Sequence, residues 1–374
     1  MTGFFAFLIG YIVPFILVLS LLVFVHEMGH YLVGRWSGIG VVAFSVGFGP
    51  ELVGFTDSHG TRWKISAIPL GGYVKFFGDE DASSKPDLQR LAMMSDVDRA
   101  RAFPAAKLWK RAATVAAGPI ANFLLAIAIF AVLFSVYGKQ VADPVVAEVK
   151  ENSAAAEAGV QPGDLLVAID GSHVTTFDDV RRYVGVRPET PIVVTVERAG
   201  TQLDLPMTPK RTEITDQFGN KIELGIIGIV TNQETGNFRT QTFTPLQAVG
   251  EGAVQSWHIV TGTFDYLGNL LTGRMNADQL GGPIRVAQAS GQMATIGFSA
   301  VLQLAAVLSV SIGLLNLMPV PVLDGGHLMF YAVEAVRGKP VGAMAQEIAF
   351  RIGLAMVLTL MVFATWNDIS NLIG

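Results

Sequence analysis

Four stretches of this chain are apolar for long enough to cross a bilayer, which takes roughly twenty residues at helical rise. The first covers residues 4–36, with Pro14 inside it as a kink point. The second covers residues 107–137 and carries no charge from Ala112 to Tyr137; the third covers residues 297–323 and the fourth residues 347–369. The fourth is most apolar from Ile352 to Trp366. It reaches spanning length only if the amphipathic lead-in from Gly342 to Arg351 is partly immersed, with Glu347 and Arg351 paired four apart.

Between the spans the pattern changes period. In residues 37–106, Phe44–Pro50 and Lys64–Phe76 are apolar, β-branched and aromatic and are bounded by Gly and Pro, which predicts short strands that fold back against the bilayer. Asp79 to Arg101 is polar and predicts a mobile surface loop. Residues 142–210 predict a compact α/β module, with strands at Val145–Val149 and Ile192–Val196 and a helix at Phe177–Val184 that carries Asp178 and Asp179 in its first turn. Residues 211–296 hold one further strand region, Lys221 to Val230, and an amphipathic helix from Pro245 to Leu271. The fold class is therefore a polytopic α-helical membrane protein with four transmembrane helices, a membrane-associated β region and one α/β module.

Composition agrees with this division. Slightly more than half of the 374 residues are hydrophobic, 15% are charged and the mean hydropathy is +0.46, outside the usual soluble range. The absence of cysteine excludes disulfides and thiolate zinc sites, so any metal must be held by His, Asp or Glu. A net charge of -5 leaves no basic face for nucleic acid. The N-terminal run lacks a basic lead and exceeds the length of a signal-peptide core, so it is expected to be a retained span. Lys107, Lys110 and Arg111 crowd the entry to the second span, Arg35 the exit of the first, and Arg337 and Lys339 lie between the third and fourth. The positive-inside rule makes those loops cytoplasmic. The segment from Gly138 to Ile296, with 18 acidic and 12 basic residues, is then outside, as are both termini.

The first span holds His26-Glu27-Met28-Gly29-His30, and Glu27 is the first charge in the chain. This is the HExxH pattern: two histidines on one helical face to hold a zinc ion, and a glutamate beside them as general base. Ionisable groups inside a span cost on the order of 2.5–3.5 kcal/mol each, which argues against two packing histidines and an idle glutamate. The third ligand sets the class. A metzincin needs Gly and His where this chain has Val33 and Trp36, and Glu51 and Asp57 lie out in the loop.

Asp324, in Asn316-Leu317-Met318-Pro319-Val320-Pro321-Val322-Leu323-Asp324-Gly325-Gly326-His327, ends an uncharged run. The first and third spans run in the same direction. His26 stands about 22 residues into one and Asp324 about 27 into the other, so at roughly 1.5 Å per residue they reach similar depth. Asp324 is either the third ligand or a cap on the next helix; the depth match favours ligation. Three such ligands leave a fourth position for water, with Glu27 to take its proton. Asn316 either faces the substrate backbone, freed by the break at Pro319, or bonds helix to helix. Asn122 is either glue between spans or support for the metal site. His327 is read as an interfacial histidine, and His59, His173 and His258 have no ligand spacing.

These motifs together resemble the site-2 protease family of intramembrane zinc metalloproteases (peptidase family M50), most closely its regulator-of-sigma-E-protease (RseP) type. The resemblance rests on the HExxH segment, Phe44–Pro50 and Ile68–Lys75, Gly118–Asn122, Gly281–Ile284 and Asn316–His327. It also rests on residues 154–171, whose short helix, Gly163-Asp164 turn and Asp170-Gly171 hairpin resemble the PDZ signature. It implies zinc on His26, His30 and Asp324, Glu27 as catalytic base and Asn316 on substrate. It implies that the β region around Gly47, Gly49, Gly71 and Gly72 holds substrate as an added strand. The expected activity is cleavage of transmembrane segments of single-span proteins, such as pre-trimmed anti-sigma factors or remnant signal peptides, in regulated intramembrane proteolysis and stress response. The implied location is the bacterial inner membrane, with a periplasmic PDZ module acting as a size filter and lipid as a further partner. One departure stands out: the best-known enterobacterial member has two PDZ modules, and one is legible here.

Overall fold

The computed structural model describes residues 8–79, 93–215, 221–231, 238–272 and 281–373. The described residues up to Phe130 and from Gly281 onward form one compact unit, and those from Ala131 to Thr272 form another. Among the described residues, four helices are long and apolar enough to cross a membrane: Gly10–Trp36, Leu108–Val136, Phe298–Leu317 and Ala343–Ser370.

The first span opens as a π-helix, Leu8–Ile12, and continues as α1, Val13–Trp36; residues 4–7 lie outside the described residues. Pro14 stands where the π-helix gives way to α1, so its missing N–H coincides with the change of helix type. Val18, Leu22, His26, His30 and Gly34 recur every four residues along the buried face, while Leu17, Leu21, Phe24 and Leu32 point outward. An apolar outer face of this kind suits lipid.

The loop strands are longer than the sequence pattern predicts: β1 is Val41–Thr56 and β2 is Arg62–Phe76. Each bends and pairs twice. Phe44 lies opposite both Val74 and Trp63, and Val46 opposite both Gly72 and Ile65, while beyond the bend Val53 meets Ile65 and Phe55 meets Trp63. Gly47, Gly49 and Gly71 stand at the bends with φ of 91°, 84° and 119°. At Gly47 a Cβ would also meet the Ile68 and Ser66 carbonyls within 2.9 Å, so glycine is required there on both counts. Phe44, stacked on Trp63 at 4.5 Å, joins Val41, Val74, Phe76, Phe103 and Val115 in one core. Of the expected mobile loop from Asp79 to Arg101, residues 79 and 93–101 are described. Asp79 is buried and Asp96–Arg99 is a helical turn capped by Ser95; residues 80–92 lie outside the described residues. The second span, α2, runs Leu108–Val136 with Pro119 in its interior.

The second unit holds β3 (Lys139–Ala142), β4 (Glu148–Val149), α3 (Ala154–Glu157), β5 (Leu165–Ile169), β6 (Ser172–His173), α4 (Phe177–Gly185), β7 (Ile192–Arg198) and β8 (Thr201–Met207). The strands β6-β5-β7-β8 form an antiparallel sheet in that order. The β5–β6 turn has positive φ at Asp170 and Gly171, as a two-residue hairpin demands, and α4 starts on a Thr176–Asp179 capping box. The expected strand at Val145 is reduced to a bridge, with Val145 opposite Leu165. The module also continues past residue 210. A hairpin, β9 (Lys210–Thr215) with β10 (Lys221–Ile226), leads to β11 (Ile229–Val230), which pairs with β4, and to β12 (Phe238–Gln241), which pairs with β3. Ile227 belongs to the same core as Leu166, Ile169, Val194 and Val196. The amphipathic helix α5 spans Pro245–Leu271, with Thr244 and Gln247 as its capping box.

Asp164 is buried in this module and Arg198 grips both its oxygens at 2.7 Å. The guanidinium holds the carboxyl below the ordinary aspartate range, against the opposing effect of burial. A lowered carboxyl stabilises the fold at pH above its unfolded value, about 3.9, and the stabilisation is lost as pH falls through the lowered one. Arg198→Ala is expected to cost about 2–3 kcal/mol at neutral pH. Amide exchange of β5 and β7 in the full-length protein should then be about 30- to 150-fold faster, with the difference from wild type shrinking on acidification. An unchanged exchange rate would contradict this.

In the first unit, α6 (Pro283–Ile296) is followed by α7 (Phe298–Leu317), α8 (Asp324–Arg337) and α9 (Ala343–Ile373). Two expectations are corrected here. The third span, read as residues 297–323, stops at Leu317 because Pro319 and Pro321 cannot continue its ladder. Asp324 then opens α8, a helix the hydrophobic pattern did not predict. The fourth span is one unbroken helix from Ala343, so its lead-in is helical, with Arg351 2.6 Å from Glu347. Asp368 of α9 accepts the backbone N–H groups of Gly282, Ile284 and Arg285 at 2.8, 3.0 and 3.1 Å, capping α6 from another helix.

Candidate metal centre

His26 and His30 face one way because they lie four apart on α1, and α2 packs close enough to orient them only because both helices carry glycine at the crossing. A Cβ on Gly29 would overlap the Ala117 carbonyl, and one on Gly118 would overlap the His30 ring. His30 Nδ1 donates to the Thr114 carbonyl at 2.9 Å, which leaves its Nε2 a bare acceptor. That atom lies 3.2 Å from His26 Nε2 and 3.4 Å from Asp324 Oδ2, and His26 Nε2 lies 3.1 Å from the same oxygen.

Asp324 reaches this point by a different construction. Gly325 and Gly326 let the start of α8 press on the preceding turn, since a Cβ at either would overlap the carbonyls of Leu317, Met318 or Val320. Further along α8, Glu334 is gripped by Arg111 of α2 through both guanidinium nitrogens, at 2.6 and 3.3 Å. The sequence marks Arg111 only as a positive charge at the entry to the second span; its pairing with Glu334 spans more than two hundred residues and is not legible there. The bare His30 nitrogen and the carboxylate oxygen repel one another unless a positive charge lies between them. Asp324 Oδ2 is moreover buried without a hydrogen-bond partner. Four tetrahedral ligands at about 2.05 Å from zinc would be about 3.3 Å apart, and the three observed separations bracket that value. The donor set therefore fits zinc: two imidazoles, one carboxylate and no thiolate.

The profile of peptidase family M50 matches residues 14–360. The chain belongs to that family. Among its relatives, a protein of Agrobacterium fabrum named as a zinc metalloprotease is 76% identical, covering 98% of each chain. The metalloprotease MmpA of Caulobacter vibrioides is 38% identical over 96% of this chain and 95% of its own. Among solved structures, the PDZ domain of an SdrC-like protein from Listeria monocytogenes matches 23% of this chain and 83% of its own length, at 20% identity and a TM-score of 0.19. As an M50 peptidase with these relatives, the protein is a zinc metalloprotease, and its four helices long and apolar enough to cross a membrane accord with a membrane protein.

The remaining expected site residues divide around this centre. Glu27 is buried beside the histidines, with the Val74 backbone facing its carboxylate. Gly72 leaves room for it: a Cβ there would lie 3.1 Å from Glu27 Cγ and 2.7 Å from both Val23 Cγ1 and the Ser45 carbonyl. The β region of the M50 fold thus adjoins the metal centre through the Gly72–Phe76 end of β2. Gly47, Gly49 and Gly71 shape the bends instead of touching the histidines. Asn316 sits half-buried in the last turn of α7, just before the break that leads to Asp324. Asn122 is fully buried with its amide 3.3 Å from His26 Nδ1 and its backbone carbonyl accepting from Ser309 of α7. His327 packs its ring near Phe350, and Glu51 and Asp57 are engaged elsewhere, with Arg62 and with Trp63 respectively.

Proposed function

We propose that the protein is an intramembrane protease that cuts transmembrane segments of single-span proteins, with His26, His30 and Asp324 as zinc ligands and Glu27 as catalytic base. The observation that carries this is the convergence of three ligand atoms, 3.1–3.4 Å apart, two of them on a helix long and apolar enough to span a membrane. When bound, zinc supplies the Lewis acidity that polarises a peptide carbonyl and acidifies water. Glu27 takes a proton from the attacking water and returns it to the leaving amine. His30 is kept in the right tautomer by Thr114, and Asn316 binds the substrate backbone at the helix break.

A helical substrate hides its carbonyls in its own hydrogen bonds, so it must be unwound before water can attack. The strand end at Gly72–Phe76 lies beside Glu27 and offers a template for strand addition. The bends at Gly47, Gly49 and Gly71 aim that edge. Pre-trimmed anti-sigma factors and remnant signal peptides are the expected substrates, in regulated intramembrane proteolysis during stress response. Lys and Arg at the span ends support an inner-membrane orientation with Arg35, Lys107, Lys110 and Arg111 inside, and with the PDZ-like module and both termini outside.

The test is reconstitution of the full-length protein in lipid with a single-span substrate. Cleavage inside the span is expected to stop when a zinc chelator is added and to return when zinc is restored. Chelator-insensitive cleavage, or cleavage confined to soluble segments, would sink the proposal.

A further inference from the structure

Asn122 is a polar side chain with no exposed surface in the middle of an apolar helix. Its position is fixed from two sides. The Ser309 hydroxyl of α7, itself fully buried, donates to the Asn122 backbone carbonyl at 2.8 Å, and Gly313 of α7 leaves the Asn122 Cβ just enough room, 3.3 Å from where its own Cβ would stand. The carboxamide then reaches His26 Nδ1 at 3.3 Å, while its other end, Oδ1, is buried with no hydrogen-bond partner.

The chemistry of His26 decides which end of that amide is needed. Its Nε2 faces His30 and Asp324 and is the atom available to a metal; a neutral imidazole that gives its Nε2 lone pair carries its proton on Nδ1. An amide N–H₂ set against Nδ1–H would place donor on donor. The two ends of a carboxamide have the same shape, so rotation about the last torsion brings Oδ1 to Nδ1 without moving the helix. His30 already has the equivalent arrangement, with the Thr114 carbonyl on its Nδ1 at 2.9 Å. We propose that Asn122 is a positioning residue: its Oδ1 accepts from His26 Nδ1–H and fixes the ring's tautomer and direction for zinc, as the Thr114 carbonyl does for His30. This rests on the metal reading above, and it gives the second span a part in assembling the site through both histidines.

The experiment measures zinc affinity of the purified full-length protein by competition with a chromogenic chelator, for wild type, Asn122→Asp, Asn122→Leu, Asn122→Ala and His26→Ala. Outer partners of metal-bound histidines are typically worth about 10–100-fold in affinity, so Leu and Ala, which lack an acceptor, are expected to weaken zinc by about that much. Asp, which keeps the acceptor, is expected to stay within a few-fold of wild type. A purely packing role gives the reverse order, because Leu fills an apolar contact between spans better than a buried carboxylate does. If Leu fails to yield a monodisperse protein, Ala against Asp carries the comparison. Leu and Ala equal to wild type, or tighter than Asp, would overturn the proposal while His26→Ala still loses the metal. Zinc bound equally by His26→Ala and wild type would instead overturn the ligand assignment, and this inference with it.

Discussion

Replacing Glu27 by Gln is expected to lower the rate of substrate cleavage by about 10²–10⁴-fold, the usual contribution of a positioned general base, while one equivalent of zinc stays bound. Gln has the same shape and fits the space that Gly72 leaves beside the Glu27 side chain, so the change removes proton acceptance with little else. The three proposed ligand atoms belong to other residues, His26, His30 and Asp324, so metal content should not track activity. The measurement is single-turnover cleavage of a reconstituted single-span substrate beside metal analysis of the same preparation. A loss of less than about tenfold would mean that another group moves the proton, because it falls below the range for general-base catalysis.

The second large effect is expected at Asp324. Asp324→Ala removes one of three ligands, and its effect on zinc should exceed the roughly 10–100-fold caused by losing an outer partner, so the purified protein should retain far less than one equivalent. Two histidines remain on α1, and Arg111 still holds α8 through Glu334, so loss of metal need not come from loss of fold. Asp324→Asn separates the two possibilities. It preserves a polar group of the same size at the start of α8 and removes the charge, and it should bind zinc nearly as poorly as Ala while melting like wild type. Full metal occupancy in either variant would move the third ligand elsewhere.

Counting residues for depth places Asp324 correctly but not the path to it. The structure does put Asp324 within 3.4 Å of both histidines, because burial of an ionisable group in a span restricts its partners. The count gave the wrong route: the helix ends at Leu317, and Asp324 opens a new helix. Two prolines in a short segment announced the break, but the course of the chain beyond it depends on packing against α2, through Arg111 and Glu334, which no local pattern records. The β region shows the same limit. Its strands were legible from Gly, Pro and β-branched residues, whereas the double pairing of Phe44 and Val46 depends on bends that only the assembled sheet reveals. In the second unit, the hairpin at Asp170-Gly171 and the helix that starts at Phe177 are local and were readable. The pairings of β3 with β12 and β4 with β11 join distant residues and were not. Asn122 lay between these cases: its polarity in an apolar run marked it, and only geometry showed its partner.

The division of the ligand set between two helices has a further consequence. His26 and His30 travel together on α1, but Asp324 arrives on a segment anchored to α2 by Arg111 and pressed by α9, where a Cβ on Gly353 would lie 3.1 Å from Pro321. No single span contains a site. On the proposed ligand set, metal binding requires that these helices be docked, and it adds its free energy to that docking. On that assignment a chain whose helices have not docked would have neither the metal nor the means to cut.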